Sequence, residues 1–458
     1  MLCSITWSYG TKIEDCYIHD CGRDGMTLAC MKNSFIRNCR ISKCTQAHID
    51  IESTAYLDND LHIEGLIIDH KEDGAIKSVT GDHLMLTRSS INGVMSSEPY
   101  IHISDSDLQW LRLGPEAGSL SETGFNSNIS KPKRIVRDCI IRGNVECTDT
   151  IFENCVFCGD FNVFAKNQYN GKYPNVFKNC TFKLPNSNDV GNRGLVPGKY
   201  YDCIIRCEGD LNLQMYWASK PELSKYEFRG CTFDVRSIYT ANNYGTKLDN
   251  TGTLLVIEDC EFNIRGHYNL YNFNVFCDKR NIPIKNANFA GTFLQRMVNS
   301  VINFVPNNSD YFEFFFTPYY NATIANNVFN PTVEVSKISF IKLYLRAAVE
   351  NDVHDINIIG NKVNYCGNAR FIFVHQVSED DDVQVNVLNN TFIDKTVDKN
   401  GELTDLLLFD LGKTDKGSGY QDQDFVSVNT INLKSDISKN KDINKESISM
   451  QNIGENIH

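Results

Sequence analysis

Ile13-Glu14-Asp15-Cys16-Tyr17-Ile18 decides the fold, because the chain writes this six-residue form many times. The form is an apolar residue, a free position, a turn-former, a small core-type residue, a second free position and another apolar residue. It returns at Ile36–Ile41 (IRNCRI), Val136–Ile141 (VRDCII), Phe152–Phe157 (FENCVF), Phe177–Phe182 (FKNCTF), Tyr200–Ile205 (YYDCII), Phe228–Phe233 (FRGCTF) and Ile257–Phe262 (IEDCEF). Later copies put Asn in the Cys slot, at Ile324–Phe329 (IANNVF), Ile358–Val363 (IIGNKV) and Val387–Phe392 (VLNNTF). Looser copies stand at Ile63–Ile68 (IEGLII), Leu86–Ile91 (LTRSSI), Ile103–Leu108 (ISDSDL) and Ile284–Phe289 (IKNANF). A unit recurring at roughly two to three dozen residues marks a solenoid.

Each position of the unit has a physical meaning. The third residue is Asp, Asn or Gly in every copy but one, where Arg88 stands. Those three types tolerate positive φ, so a left-handed kink is expected there. On either side of the kink, apolar and free positions alternate as in a strand. The kink resets the alternation, and the first, fourth and sixth residues all point inward. Cys16, Cys39, Cys139, Cys155, Cys180, Cys203, Cys231 and Cys260 are then expected in one column.

The copies start at 13, 36, 63, 86, 103, 136, 152, 177, 200, 228, 257, 284, 324, 358 and 387, with gaps from 16 to 40 residues. Uniform coils with unequal loops describe an all-β, right-handed, single-stranded parallel β-helix, stacked at ~4.8 Å per coil. About fifteen coils would span about 70 Å.

The chain of 458 residues is 41% hydrophobic, enough for a large core, and its net charge is −12. With a pI near 5.4, duplex nucleic acid is not an expected partner. The 17 cysteines do not read as a disulfide framework. One per coil at one inward position is a small hydrophobe reused, with Cβ vectors side by side, which is poor geometry for a bridge. Reduced thiols fit folding in a cytosol. No CxxC…CxxC spacing points to a metal, and no cofactor is expected. Met1–Trp7 shows no signal peptide, and no apolar run is long enough for membrane insertion. The sequons at Asn128, Asn179 and Asn321 read as by-products of an Asn-rich chain.

The expected organisation is a β-helix over 1–411 and a polar segment over 412–458, flexible or held by a partner. Gly114–Lys133 reads as an excursion loop. The first coil begins near residue 5, so either another chain covers that open edge or the sequence continues a longer polypeptide.

Loops and outward faces are where such a scaffold places function. Two bends, Cys21-Gly22-Arg23-Asp24-Gly25 and His70-Lys71-Glu72-Asp73-Gly74, set an Asp before a Gly and lead into a strand. In the strands that follow, Thr27, Asp50, Lys77 and His102 are expected outward on successive coils, with Glu52 nearby. Asp50, Glu52, Lys77 and His102 are the candidate acid and base residues for cleaving a sugar chain. Inverting hydrolysis takes two carboxyls about 6.5–9.5 Å apart, whereas a lyase would use Lys77 or His102 as the base. The competing reading is a solvated outer face, with Asp24 and Asp73 as plain turn residues rather than substrate-binding ones. The aromatic run Asp310–Tyr320 offers Tyr319 and Tyr320 for sugar stacking, or else a buried contact with a loop or a second subunit.

Through this repeat and the Asp-Gly bends, residues 10–410 resemble the pectate-lyase-like superfamily of right-handed β-helices. TKIEDCYIHDCGRDGMTLACMKNSFIRNCRIS (residues 11–42) is similar to the β-helical bodies of bacteriophage tail spikes and neck appendages. The resemblance implies a virion-associated or extracellular protein made in a bacterial cytoplasm. It further implies a homotrimer that contacts other virion proteins and binds, or depolymerises, host polysaccharide. The alternatives are an exported bacterial polysaccharide lyase or glycoside hydrolase, and a structural β-helix without sugar affinity. Lyases of the superfamily carry an Arg base beside clustered Asp ligands for calcium. Neither that pattern nor a paired-Asp hydrolase signature occurs here, so no catalytic residue is taken from the resemblance.

Overall fold

The structure, a computed structural model, describes residues 3–52, 60–68, 76–78, 83–96, 100–114, 133–159, 161–162, 168–169, 173–184, 194–213, 217–218, 225–240, 254–265, 287–304, 313–331, 339–345, 353–364, 370–376, 382–396, 409–410, 429–434 and 447–450. Among them there is no helix. The chain is an all-β parallel solenoid, a β-helix. Two compact units divide it: residues 1–185, 191–204 and 216–224, and residues 186–190, 205–215 and 225–458.

Among the described residues, the coils of the first unit build three parallel ladders. The pre-kink sheet stacks Lys12–Glu14, Ser34–Arg37, Asp60–Glu64, His83–Thr87 and Tyr100–Ser104 in register. The post-kink sheet starts with Tyr17–Cys21, Arg40–Cys44 and Ile67–Ile68. A return sheet stacks Cys3–Tyr9, Met26–Lys32, Ile49–Glu52 and Ile76–Ser78. The second unit repeats the plan, with Glu261–Ile264, Val301–Phe304 and Val328–Pro331 stacked after the kink. Within residues 412–458, Asn429–Lys434 joins Thr391–Thr396 in parallel and pairs antiparallel with Ser447–Met450.

The kinks lie where Asp, Asn and Gly placed them. From Asp15 and Asn38 to Gly360 and Asn389, each kink position within the described residues has φ between 48° and 66°. Even Arg88 adopts φ 48°, and its guanidinium pairs with Glu64 of the preceding coil. One coil is built from other residues than expected. Asn286 lies outside the described residues, and the kink between Asp259 and Asn326 is Asn299, φ 53°. Its unit is Met297–Ile302 (MVNSVI), with Ser300 in the slot.

The inward columns form the core. In the first unit they are aliphatic at first, with Ile36, Ile63, Leu86 and Ile103 on one side and Ile41, Ile68, Ile91 and Leu108 on the other, all fully buried. From Phe152 onward the columns turn aromatic. Phe152 stacks on Phe177 at 5.1 Å and Phe177 on Tyr200 at 4.6 Å, while Phe157 stacks on Phe182 at 4.8 Å. The coil spacing of ~4.8 Å is itself a stacking distance for rings, so one repeat serves both backbone and side chains.

The slot after the kink solves a backbone problem. A left-handed residue turns the next amide out of the sheet ladder, and a buried N–H needs an acceptor. Ser89 Oγ of the following coil accepts from the Leu66 amide at 3.1 Å, and Ser106 Oγ from the Ser89 amide at 3.1 Å. Ser and Cys side chains in the slot also donate to the carbonyl two residues back, as Ser89 Oγ does to Thr87 at 2.9 Å, Cys139 Sγ to Arg137 at 3.1 Å and Cys260 Sγ to Glu258 at 3.2 Å. The described cysteines are free thiols. Burial raises the Cys39 thiol. Cys139 is raised first by the hydrogen bond it shares with Cys155 and then by burial. Cys180 is raised by burial and by its contacts with Cys155 and Cys203. Cys155 lies below its neighbours because the Cys139 and Cys180 thiols donate to it.

Candidate functional site

The return sheet of the first unit carries the outward column in which the sequence placed its acid and base candidates. Thr27 pairs with Asp50, and Asp50 with Lys77. The next two members are Met95 and Arg112, and the column then reaches Glu146. Consecutive members are one coil, ~4.8 Å, apart. Asp50 is half-buried on this face. Lys77 and Glu52 occupy positions on the same sheet, and their side chains lie outside the described residues. Asp50 and Glu52 are two residues apart on one strand, about 6.6 Å between Cα atoms.

His102 does not join this column. It lies on Tyr100–Ser104 of the pre-kink sheet, between Met85 and Ile135. The coil that starts at Leu86 returns instead through residues 93–96, which places Met95 beside Lys77. The sequence misleads here because Ser90–Ser96 and Asp107–Leu113 each run through the post-kink and return sheets as one strand. Without a break between the post-kink and return strands, the offset from the repeat no longer identifies the face.

The pre-kink sheet carries its own half-buried outward column, Phe35, His62, Met85 and His102. Burial, with Arg37 and Arg88 nearby, holds His62 below the usual histidine range. Its Nε2 lies 3.3 Å from Thr87 Oγ1.

Asp24 is only 2% exposed, and its carboxylate accepts the Ala47 amide of the next coil at 3.0 Å while pairing with Arg23. Gly25 beside it is required by close approach, since a Cβ would lie 2.6 Å from the His48 carbonyl and 2.7 Å from Ile41. This Asp-Gly bend therefore locks two coils together, and Asp24 is turned away from solvent. Asp73 lies outside the described residues. Tyr319 and Tyr320 fall on the strand Glu313–Ala325, and their side chains are outside the described residues.

Residues that the sequence reading passed over complete the return face. Arg112 Nε lies 3.0 Å from Glu146 Oε2, and Asn144 Nδ2 donates to Glu146 Oε1 at 3.0 Å. Just before Arg112, Trp110 pairs with Gly93 of the preceding coil. The available signal was Gly93 itself, a glycine inside a strand, which often marks close approach by another group. Among the described residues, no group of three or more His, Cys, Asp or Glu is arranged to hold a metal ion. Compared with protein-family models, curated proteins and solved structures, the chain matches none of them.

Proposed function

We propose that the protein is an appendage-type, virion-associated β-helix that binds host cell-surface polysaccharide, with cleavage of that polymer as the activity to be tested. The observation that carries this reading is the outward return column of the first unit, Thr27, Asp50, Lys77, Met95, Arg112 and Glu146. Apart from Met95, its positions carry donor and acceptor residue types at a constant step along one sheet, which suits an extended, repetitive polymer better than a compact metabolite. The free thiols fit synthesis in a reducing cytoplasm followed by release in a virion. A homotrimer would bring such columns from several chains together, and other virion proteins would then be its partners.

Incubation with a panel of capsular and pectic polysaccharides tests the reading. Reducing ends report hydrolysis, and ultraviolet absorbance of unsaturated uronates reports elimination. Binding without either signal would make the protein an adhesin. Failure to retain any polymer in affinity electrophoresis would remove the reading in favour of a structural β-helix. Sedimentation equilibrium tests the assembly separately, and a stable monomer excludes the trimer.

A further inference from the structure

Trp110 is seated in an unusual way. A Cβ added to Gly93 would lie 2.1 Å from Trp110 Cε2, 2.3 Å from Cδ2 and 2.6 Å from Nε1. Cδ2 and Cε2 are the fused bond of the indole, so the ring covers Gly93 with the middle of its face rather than with an edge. Val94 points into the core, which puts Gly93 and the ring above it on the outer surface of the sheet. Trp110 is only half-buried. One face of the ring lies on backbone, and part of the indole stays exposed.

Beside this platform stands a preorganised donor and acceptor. Arg112 is two residues further along the strand, and Glu146 one coil beyond it. Glu146 is held by Arg112 through one oxygen and by Asn144 through the other. The two side chains keep 35% and 23% of their surface exposed. An aromatic face next to a guanidinium–carboxylate pair has a chemical complement. The C–H face of a pyranose ring lies on the indole, while adjacent hydroxyls accept from Arg112 and donate to Glu146. The pair is already balanced in charge and the chain is at −12, which disfavours a polyanion.

We propose that Trp110, Arg112 and Glu146 form a subsite for one neutral hexopyranose of a polysaccharide lying along the return sheet. This rests on the polysaccharide reading above and narrows it. A neutral chain has no carboxylate beside the scissile bond to acidify a C–H, so cleavage there would be hydrolysis and not elimination.

The test uses the full chain with Trp7→Phe and Trp217→Phe, leaving Trp110 as the sole indole. The probes are neutral dextran, mannan and galactan oligosaccharides, with oligogalacturonate as the acidic comparison. Neutral oligosaccharides are expected to shift Trp110 emission. In the chain with its native tryptophans, binding is read calorimetrically. There Trp110→Ala should weaken it about tenfold or more, and Trp110→Tyr much less. Gly93→Ala should mimic the loss by lifting the ring, although it leaves Trp110 in place. Should Trp110→Ala fail to fold by circular dichroism, Glu146→Gln carries the test with a several-fold loss. Unchanged affinity in these variants would overturn the subsite while leaving polysaccharide binding intact. A preference for oligogalacturonate would overturn the neutral assignment. Wild-type protein that retains other polymers of the wider panel but none of these neutral probes would overturn the subsite alone, and protein that retains no polymer at all would remove both readings.

Discussion

The slot behind the kink is filled differently in the two units, and the contrast shows what the position requires. In the first unit it holds mainly thiols, including the run Cys139, Cys155, Cys180 and Cys203, each at most 1% exposed. In the second unit Cys231 and Cys260 give way to Ser300, Asn327, Asn361 and Asn390, each fully buried among the latter four. There Asn361 Oδ1 accepts from the Asn327 amide and from Asn327 Nδ2, both at 3.0 Å, and Asn361 Nδ2 donates to the Ile324 carbonyl at 3.0 Å. Asn390 repeats the arrangement on Asn361. The backbone need is the same in both units. A thiol meets it weakly and tolerates loss, whereas an amide ladder meets it fully and couples every coil to the next.

The harshest way to break that comparison is Asn361→Leu. It strands the Asn327 amide and the Ile324 carbonyl in the core, and should cost about 3–5 kcal/mol. Urea unfolding measures the loss, and faster hydrogen exchange at the Asn327 amide locates it. A cost below about 1 kcal/mol would mean that the ladder is incidental. Asn361→Cys transplants the first unit's solution and should cost less, about 2–3 kcal/mol, because a thiol recovers one contact of several.

Alkaline pH probes the thiols directly. Burial pushes Cys207 up to about 11, so the folded chain keeps a proton that the unfolded chain has already lost. Its stabilising contribution is intact below the ordinary thiol range of about 8.5 and falls as pH rises toward about 11, by roughly 3 kcal/mol in all. Denaturation midpoints across that range should fall in the wild type and less in Cys207→Ala. Over the same range, alkylation followed by mass spectrometry should label exposed Cys16 well before buried Cys155.

Cys155→Ser should be milder still, about 1 kcal/mol by thermal unfolding, because Ser89 and Ser106 already serve the slot. The smallest effect expected is a gain. Arg88→Asn relieves a long side chain held at φ 48° and should stabilise by about 0.5–1 kcal/mol, less whatever the exposed ion pair with Glu64 contributes.

The kinks were legible because only a few residue types accept a left-handed backbone, and that restriction repeats with every coil. Asn is informative only together with its neighbours, however. Asn286 suggested a coil in an Asn-rich stretch, whereas Asn299 makes it, with a Ser in the slot that resembles the earlier Ser89 and Ser106. The order of positions along the return sheet was legible as far as Lys77, while post-kink and return strands stayed separate. Once those strands fuse, as in Ser90–Ser96, nothing in local periodicity tells one face from another, and His102 was assigned to the wrong sheet. Arg112 and Glu146 are 34 residues apart in sequence. Only their register brings them together, and no pairwise motif announces it.

Sixteen residues separate Asp138 from Asn154, the shortest complete circuit among the copies. Both kinks are left-handed, both slots hold Cys, and Asn154 Nδ2 donates to Asp138 Oδ1 across the gap at 3.1 Å. Residues 139–154 are thus a removable floor of the building. Splicing Asp138 to Cys155 would lower it by one storey and leave a legal kink, slot and strand at the joint. A chain organised in this way can change height by gene-level insertion or loss of whole circuits, while the loops between them vary independently.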